Sequence, residues 1–449
     1  MSESLPLTST RTSRPTIRDD AWDTLVLGWP IFWSMLSWVG MKTTDSALLG
    51  HVSSEALAAA ALSDLWTMCT LVLLQARVLG VLCGAAFGAG NPHLAGVYLQ
   101  VSYVVLGGVG VLVFGCWYWG TAWVWRESPL AGMAGYYARV LAFSIPGQLF
   151  LSQLSQFFAS QRILHPEVNA STVALVLNLV LGLWLVLGIP IPHWNGWGFE
   201  ACPAVTTTVV YIQCFVLWYV YVHRQKLHQP CWPGWKPSEW TRTRIRTFVD
   251  LYVPAALGMA SDFWRVAVIG LRAAQLGEMH VAVFNTSYRI MWIVLILVNA
   301  LSSASGIQMT LRLGRLDAKG AQQAGEVGIG MSAMVLLVIG VAVVTQIQWF
   351  GRVFSNDEEF LGLLSEARWP FTLTLVLMNL SVAIERIPYA MGRTKEVFWM
   401  GFIASWGAQV PAVMLCTYFW RDDLVGLYSG MAIGYLVVTC LYAWITFTR

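Results

Sequence analysis

Charged residues are scarce: Asp, Glu, Lys and Arg make up 11% of the 449 positions, roughly half of the fraction of about 25% usual in soluble domains. That shortage excludes an ordinary water-soluble globule. The net charge is only +3 and gives no basis for nucleic-acid binding. Cysteine is missing where a disulfide framework would need it. Of eight cysteines only Cys231 falls in a polar stretch, and Cys69, Cys83, Cys116, Cys202, Cys214, Cys416 and Cys440 sit in apolar ones, so neither a disulfide scaffold nor a metal cluster is expected. Hydrolase signatures are missing too. There is no His-Glu-x-x-His, no Gly-x-Ser-x-Gly and no protease-type pair of intramembrane aspartates, and the seven histidines fall at segment ends or in loops. No enzymatic activity, metal or cofactor is expected. The first twenty residues lack the apolar core and small-residue cleavage site of a signal peptide. Residues 1–20 instead read as a disordered polar tail.

What is present is apolar. Hydrophobic residues make up 57% of the chain, in twelve stretches beginning near 25, 56, 94, 131, 168, 198, 247, 280, 322, 368, 397 and 424. Each is long enough to cross a bilayer, which takes about 20 residues. Basic residues set the orientation, because cytoplasmic loops retain Lys and Arg. With the N-terminus inside, sixteen basic residues fall on the cytoplasmic side and five on the other, so both termini are expected in the cytoplasm. The sequons at Asn169, Asn285 and Asn379 lie in or at the ends of apolar segments and are expected to stay unglycosylated.

The chain repeats itself at a fixed offset of 224 residues: Pro30 matches Pro254, Met35 Met259, Ala58 Ala282, Ser63 Ser287, Gly90 Gly314, Gly96 Gly320 and Pro146 Pro370. Each half therefore holds six helices in the same order. Six is even, so the halves enter the membrane from the same side and are related by an axis along its normal. The expected fold is an all-α polytopic membrane protein, twelve transmembrane helices in two six-helix bundles with pseudo-two-fold symmetry. A bundle over 21–222 and a bundle over 247–449 flank a basic cytoplasmic linker, 223–246. Two like bundles suggest a central cleft and alternating access.

The glycine-rich stretch LCGAAFGAGNPHLAG, residues 82–96, joins two apolar segments, with no preceding strand and no Lys or acidic partner. A phosphate loop needs that context. Here Gly84 and Gly88 read as a small-xxx-small pair for close helix approach, and Gly90, Asn91 and Pro92 as a turn.

GHVSSEALAAAALS (50–63), LCGAAFGAGNPHLAGVYLQVS (82–102), NTS (285–287) and ALSSAS (300–305) resemble the multidrug and toxic compound extrusion (MATE) transporters, most closely their eukaryotic branch. The likeness extends over nearly all of the chain after residue 25. It implies a twelve-helix antiporter that expels organic compounds, mostly cations, in exchange for H+ or Na+. Ala85 stands where the family usually has Gln, and Arg315 where it often keeps a small residue.

Charges at membrane depth cost on the order of 3 kcal/mol or more and need a partner, a water-filled cavity or a function. The candidates are Asp45, Asp64, Arg77, Asp262, Arg265, Arg289, Glu385 and Arg386. The resemblance places Asp262, eight residues after Pro254, where eukaryotic members carry a seventh-helix glutamate that exchanges protons or cations. A static pair with Arg265 or Arg289 is the alternative. The family acid fourteen residues before Gly392 is replaced by Met378; Glu385, two turns later, either takes its place or pairs with Arg386. Asp45 matches the first-helix aspartate of bacterial members, and Asn178 and Thr206 stand where helices five and six complete their cation site. The alternative is an aspartate solvated near the outer helix end. Asp64 and Arg77 read as structural partners of other helices. Trp264 and Trp292, with Arg265 and Arg289, are expected to line the cleft, as are Trp33, Trp38 and Trp66.

The expected function is alternating-access antiport of organic solutes or xenobiotics against H+ or Na+, by a monomer in the plasma or vacuolar membrane. Protonation of Asp262, with or without Glu385, would release the solute outside. The intramembrane arginines leave two alternatives open: export of organic anions, and flipping of lipid-linked substrates by a related fold.

Overall fold

The computed structural model describes residues 16–189, 191, 193–232, 234–355 and 357–447. Twelve long helices run through it: α1 (Ile17–Val52), α2 (Ser54–Gly88), α3 (Pro92–Val124), α4 (Ala131–Ala142 and Ile145–Ser160), α5 (His165–Leu185), α6 (Gly198–Arg224), α7 (Arg242–Leu276), α8 (Glu278–Gly314), α9 (Ala318–Arg352), α10 (Arg368–Ala390), α11 (Thr394–Trp420) and α12 (Leu424–Phe447). A short helix, Glu358–Glu366, precedes α10. Ten of the twelve are long and apolar enough to span a membrane by length and composition. The other two are α4, interrupted at Phe143–Ser144, and α7, whose apolar run is diluted by Asp262, Arg265 and Arg272.

Local chemistry sets the helix starts. Thr16 and Asp19 form a reciprocal capping box, and Asp19 and Asp20 place carboxylates at the positive end of α1. The helix thus begins at Ile17, so the polar tail expected over 1–20 is helical in its last four residues; residues 1–15 lie outside the described ones. Ser53 caps α2, Thr241 caps α7 and Asp317 caps α9. Between α2 and α3 the chain reverses on Gly90, at φ +73°, and the Asn91 side chain then accepts from Leu94 N ahead of Pro92. This is the turn expected there, since positive φ favours glycine and proline suits a first helical turn.

The 224-residue offset survives in three dimensions. Pro30 and Pro254 lie inside α1 and α7, the first helix of each half; Pro146 and Pro370 open the equivalent stretches of α4 and α10. Hydrogen bonds between the halves extend from mid-depth to the side where the termini lie. Asn299 donates to Met35 Sδ and Arg77 reaches Ser303 at mid-depth. Nearer the termini Tyr252 of α7 bonds the Leu73 carbonyl of α2, and Gln308 of α8 donates to Thr24 of α1 at 3.1 Å. At the end Arg312 grips the fully buried Asp20 with both terminal nitrogens, and Gln323 adds a donor at 2.8 Å. The Gly88 region of α2 packs against Gly314 of α8 beside this cluster.

Candidate functional site

A cavity of about 710 Å3 lies between the two halves and is lined from both. That volume is in the range of small-molecule sites, ~300–1,000 Å3. Four carboxylates line it, Asp45, Glu167, Asp262 and Glu385, with four cationic side chains, Lys42, Arg77, Arg265 and Arg386. Each half contributes two of each sign.

In the first half the site is built around Asp45 of α1. Its two carboxylate oxygens accept from Asn178 Nδ2 of α5 at 3.1 Å and from Thr206 Oγ1 of α6 at 3.0 Å. Three helices thus meet at one buried acid. Lys42 sits one turn earlier on α1 and gives its Nζ to Asp64 of α2 at 2.9 Å. One lysine therefore faces two aspartates, and Asp45 is the acid it does not contact. Among the described residues, Asn178 Oδ1 is buried with no hydrogen-bond partner, an acceptor left over beside a carboxylate.

In the second half Asp262 and Arg265 of α7 pair at 3.2 Å, three residues apart on one face. Arg265 is the buried member, 6% exposed, while Asp262 keeps 53% of its side chain open to the cavity. Ser405 accepts from Arg265 at 2.7 Å and Tyr435 at 3.2 Å, with the Tyr435 ring 5.0 Å from the guanidinium. A buried arginine held this way is a fixed counter-charge for an acid that remains accessible. On α10, Met378 is buried at the cavity wall and Glu385 lines it two turns on. Arg386, its neighbour in sequence, donates to Asn299 of α8 at 2.5 Å.

Arg265 and Trp292 line the cavity; Trp264 and Arg289 do not. Trp264 is 48% exposed on the outer surface. Two residues along a helix turn about 200°, so a side chain two after Asp262 points away from what Asp262 faces. Arg289 is likewise exposed, one residue after the cavity-lining Tyr288. Trp38 lines the cavity, whereas Trp33 donates to Thr172 and Trp66 to the Cys116 carbonyl. Asp64 is a structural partner through Lys42, and Arg77 reaches the other half at Ser303. The sequence reading passed over Lys42, Glu167, Asn299 and Ser303. Lys42 carried a signal, three residues before Asp45 on the same face; Glu167, beside Pro166 at a helix start, resembled an ordinary first-turn acid.

The MatE family model matches residues 30–184 and again 254–430, two copies that begin 224 residues apart as the internal repeat does. The chain belongs to the MATE family. Its curated relatives include an uncharacterized transporter of Schizosaccharomyces pombe, 22% identical over 92% of this chain and 77% of its own. Protein DETOXIFICATION 30 of Arabidopsis thaliana is 22% identical over 93% of this chain and 84% of its own. Among solved structures, a eukaryotic MATE transporter superposes with a TM-score of 0.87 at 18% identity, covering 96% of both chains. The MATE chain is thus a multi-pass integral membrane transporter with twelve helices in two bundles.

Proposed function

We propose that this MATE transporter is a secondary antiporter that exports organic solutes, with H+ or Na+ moving the other way. The observation that carries this is a cavity between two repeated halves, lined by four carboxylates, of which Asp45 and Asp262 are differently equipped. Asp45 is enclosed by Asn178 and Thr206 with a spare buried acceptor alongside. That donor set suits a bound proton or a small hard cation, whose preferred ligands are oxygens. Asp262 and Glu385 are the acids open to solute, and Trp38 and Trp292 supply aromatic faces for flat organic cations. Binding of the coupling ion at Asp45, or protonation of Asp262 and Glu385, lowers affinity for the solute, because a neutralised cleft attracts its charge less.

With the termini in the cytoplasm, as the distribution of Lys and Arg favours, the seam through Asp20 and Arg312 closes the cytoplasmic side, and the cleft faces outward. The protein then acts as a monomer in the plasma or vacuolar membrane without a cofactor. The test is uptake of a fluorescent organic cation into inside-out vesicles under a proton gradient and, separately, a sodium gradient, for wild type and Asp262→Asn. Gradient-driven uptake reduced tenfold or more in the variant is the expected result. No uptake by well-folded protein under either gradient would reject antiport.

A further inference from the structure

The second helix stops being a helix in mid-membrane. After Leu74 α2 leaves helical geometry and resumes at Val78, with Arg77 at φ −88° and ψ 41° just before the second piece. Backbone released from a helix at this depth is tolerated where it lines a water-filled cavity, and Gln75, Arg77 and Gly80 all line the cleft. The break also brings the electropositive start of the 11-residue Val78–Gly88 segment to the cavity wall.

Arg386 stands within electrostatic reach of Arg77, one cation from each half. Arg77 Nη1 approaches Ser303 Oγ at 3.4 Å, Ser303 Oγ approaches Asn299 Oδ1 at 3.4 Å, and Arg386 Nη2 donates to the same Asn299 oxygen at 2.5 Å. Asn299 and Ser303 are one turn apart on α8, so both guanidinium groups converge on a single turn. Among the described residues neither arginine closes an ion pair, whereas the buried Arg265 and the largely covered Arg312 both do. Glu167 and Glu385 lie in electrostatic reach of Arg77 and Arg386 respectively without contacting them.

We propose that Arg77 and Arg386 form a binding site for an anionic group on the transported organic molecule, a carboxylate, sulfate or phosphate held between the two halves of the cleft. This rests on the transporter reading above and adds an anionic group to the chemistry that the cleft accepts. Guanidinium groups stay protonated at any physiological pH and present a planar fork that matches oxyanions. An anion between them offsets the repulsion of two like charges brought together from opposite halves. The organic body then lies against Met35, Met259, Trp292, Ile307 and Phe398, which share the cavity wall. A carrier of both charges would place its cationic end toward Asp262.

A purely structural role, a latch from Arg77 to α8, would affect every ligand alike, so the test reads a ratio. Binding of carboxyfluorescein and of rhodamine 6G is measured by fluorescence polarisation on full-length protein in phosphatidylcholine nanodiscs, for wild type, Arg77→Gln, Arg386→Gln and Arg386→Lys. The expected result is wild-type binding of carboxyfluorescein, a drop of at least tenfold in the anion-to-cation affinity ratio in either Gln variant, and partial recovery in Arg386→Lys. Displacement of the dye from wild type by benzenesulfonate supports the site without relying on any variant. Displacement by phosphatidylglycerol in the disc, with the same arginine dependence, supports the site and assigns its anionic group to a lipid headgroup. Equal losses for both dyes would overturn the proposal in favour of the latch, as would wild-type protein that binds rhodamine 6G and no anion. Arginine-dependent anion binding in a protein that shows no gradient-driven transport would sink the antiport reading and leave this site standing.

Discussion

Gly88 of α2 and Gly314 of α8 meet where no side chain fits: a Cβ on either would lie 2.8 Å from the Cα of the other. A Cβ on Gly88 would also come within 2.2 Å of the Leu311 carbonyl oxygen, and one on Gly314 within 2.3 Å of that of Ala85. The small-xxx-small pair expected in the sequence thus seals one half against the other. Gly88→Val is expected to wedge this seam apart, since overpacking costs about 1–3 kcal/mol. The readout is labelling of Thr310→Cys, buried in the seam, by a membrane-impermeant maleimide from the side of the termini. Labelling should rise severalfold in the Gly88→Val background; an unchanged rate would mean that the seam does not depend on this contact.

Asp20 and Arg312 are 292 positions apart in sequence and form a two-pronged ion pair in which Asp20 is fully buried and Arg312 largely covered. Removing one partner of a fully buried pair typically costs ~3–5 kcal/mol, because the other charge stays buried; the partial exposure of Arg312 makes that the upper end here. Asp20→Ala should therefore lower thermal stability and open the seam more than Gly88→Val does. A double-mutant cycle with Arg312→Gln should show that the second change costs little after the first. Fully additive losses in melting temperature would show that the two residues do not act as a pair.

How much of this was legible follows from where the signals lie in the chain. The twelve spans and the duplication were written in local apolar runs and in a constant offset, and Pro30 and Pro254 sit in equivalent helices as that offset requires. Asn178 and Thr206, which the resemblance grouped with Asp45, donate to its carboxylate. Trp264 and Arg289 were misplaced because depth along a helix was read without its rotation. The Asp20–Arg312 pair was hidden altogether: Asp20 looked like the end of a polar tail, and no periodic pattern links residues so far apart. The helix break before Arg77 was equally silent, since LVLLQARVLG contains neither proline nor an interior glycine to announce it.

Within α7, Arg265 and Asp262 should respond very differently to neutralisation. Arg265 is buried and holds Ser405 and Tyr435 as well as Asp262. Arg265→Leu strips the partner from those groups and is expected to lower expression and stability sharply. Asp262→Asn leaves Arg265 its other two acceptors, so the fold should survive with a loss of about 1 kcal/mol, the order of one hydrogen bond. Thermal melts of the two purified variants decide the matter. Equal destabilisation would mean that the pair serves only structure.

Asp45→Asn preserves size while removing the charge that Asn178 and Thr206 surround. Solute binding, measured by equilibrium titration, should weaken toward the affinity of the ion-loaded state, because the variant fixes the neutral form of this site. Stimulation of transport by an imposed H+ or Na+ gradient should disappear. Full stimulation in this variant would move the coupling site to Asp262 or Glu385.

The most direct test of exchange is to drive it backwards. Wild-type protein and Asp45→Asn are reconstituted into sealed liposomes, an organic-cation gradient is imposed, and ion countermovement is followed with a lumenal pH dye and, in parallel, with radioactive sodium. Antiport predicts that one of the two ions moves against the solute at a fixed ratio in wild type, and coupling at Asp45 predicts that neither does in Asp45→Asn. Solute crossing in wild type with no movement of either ion would contradict the account.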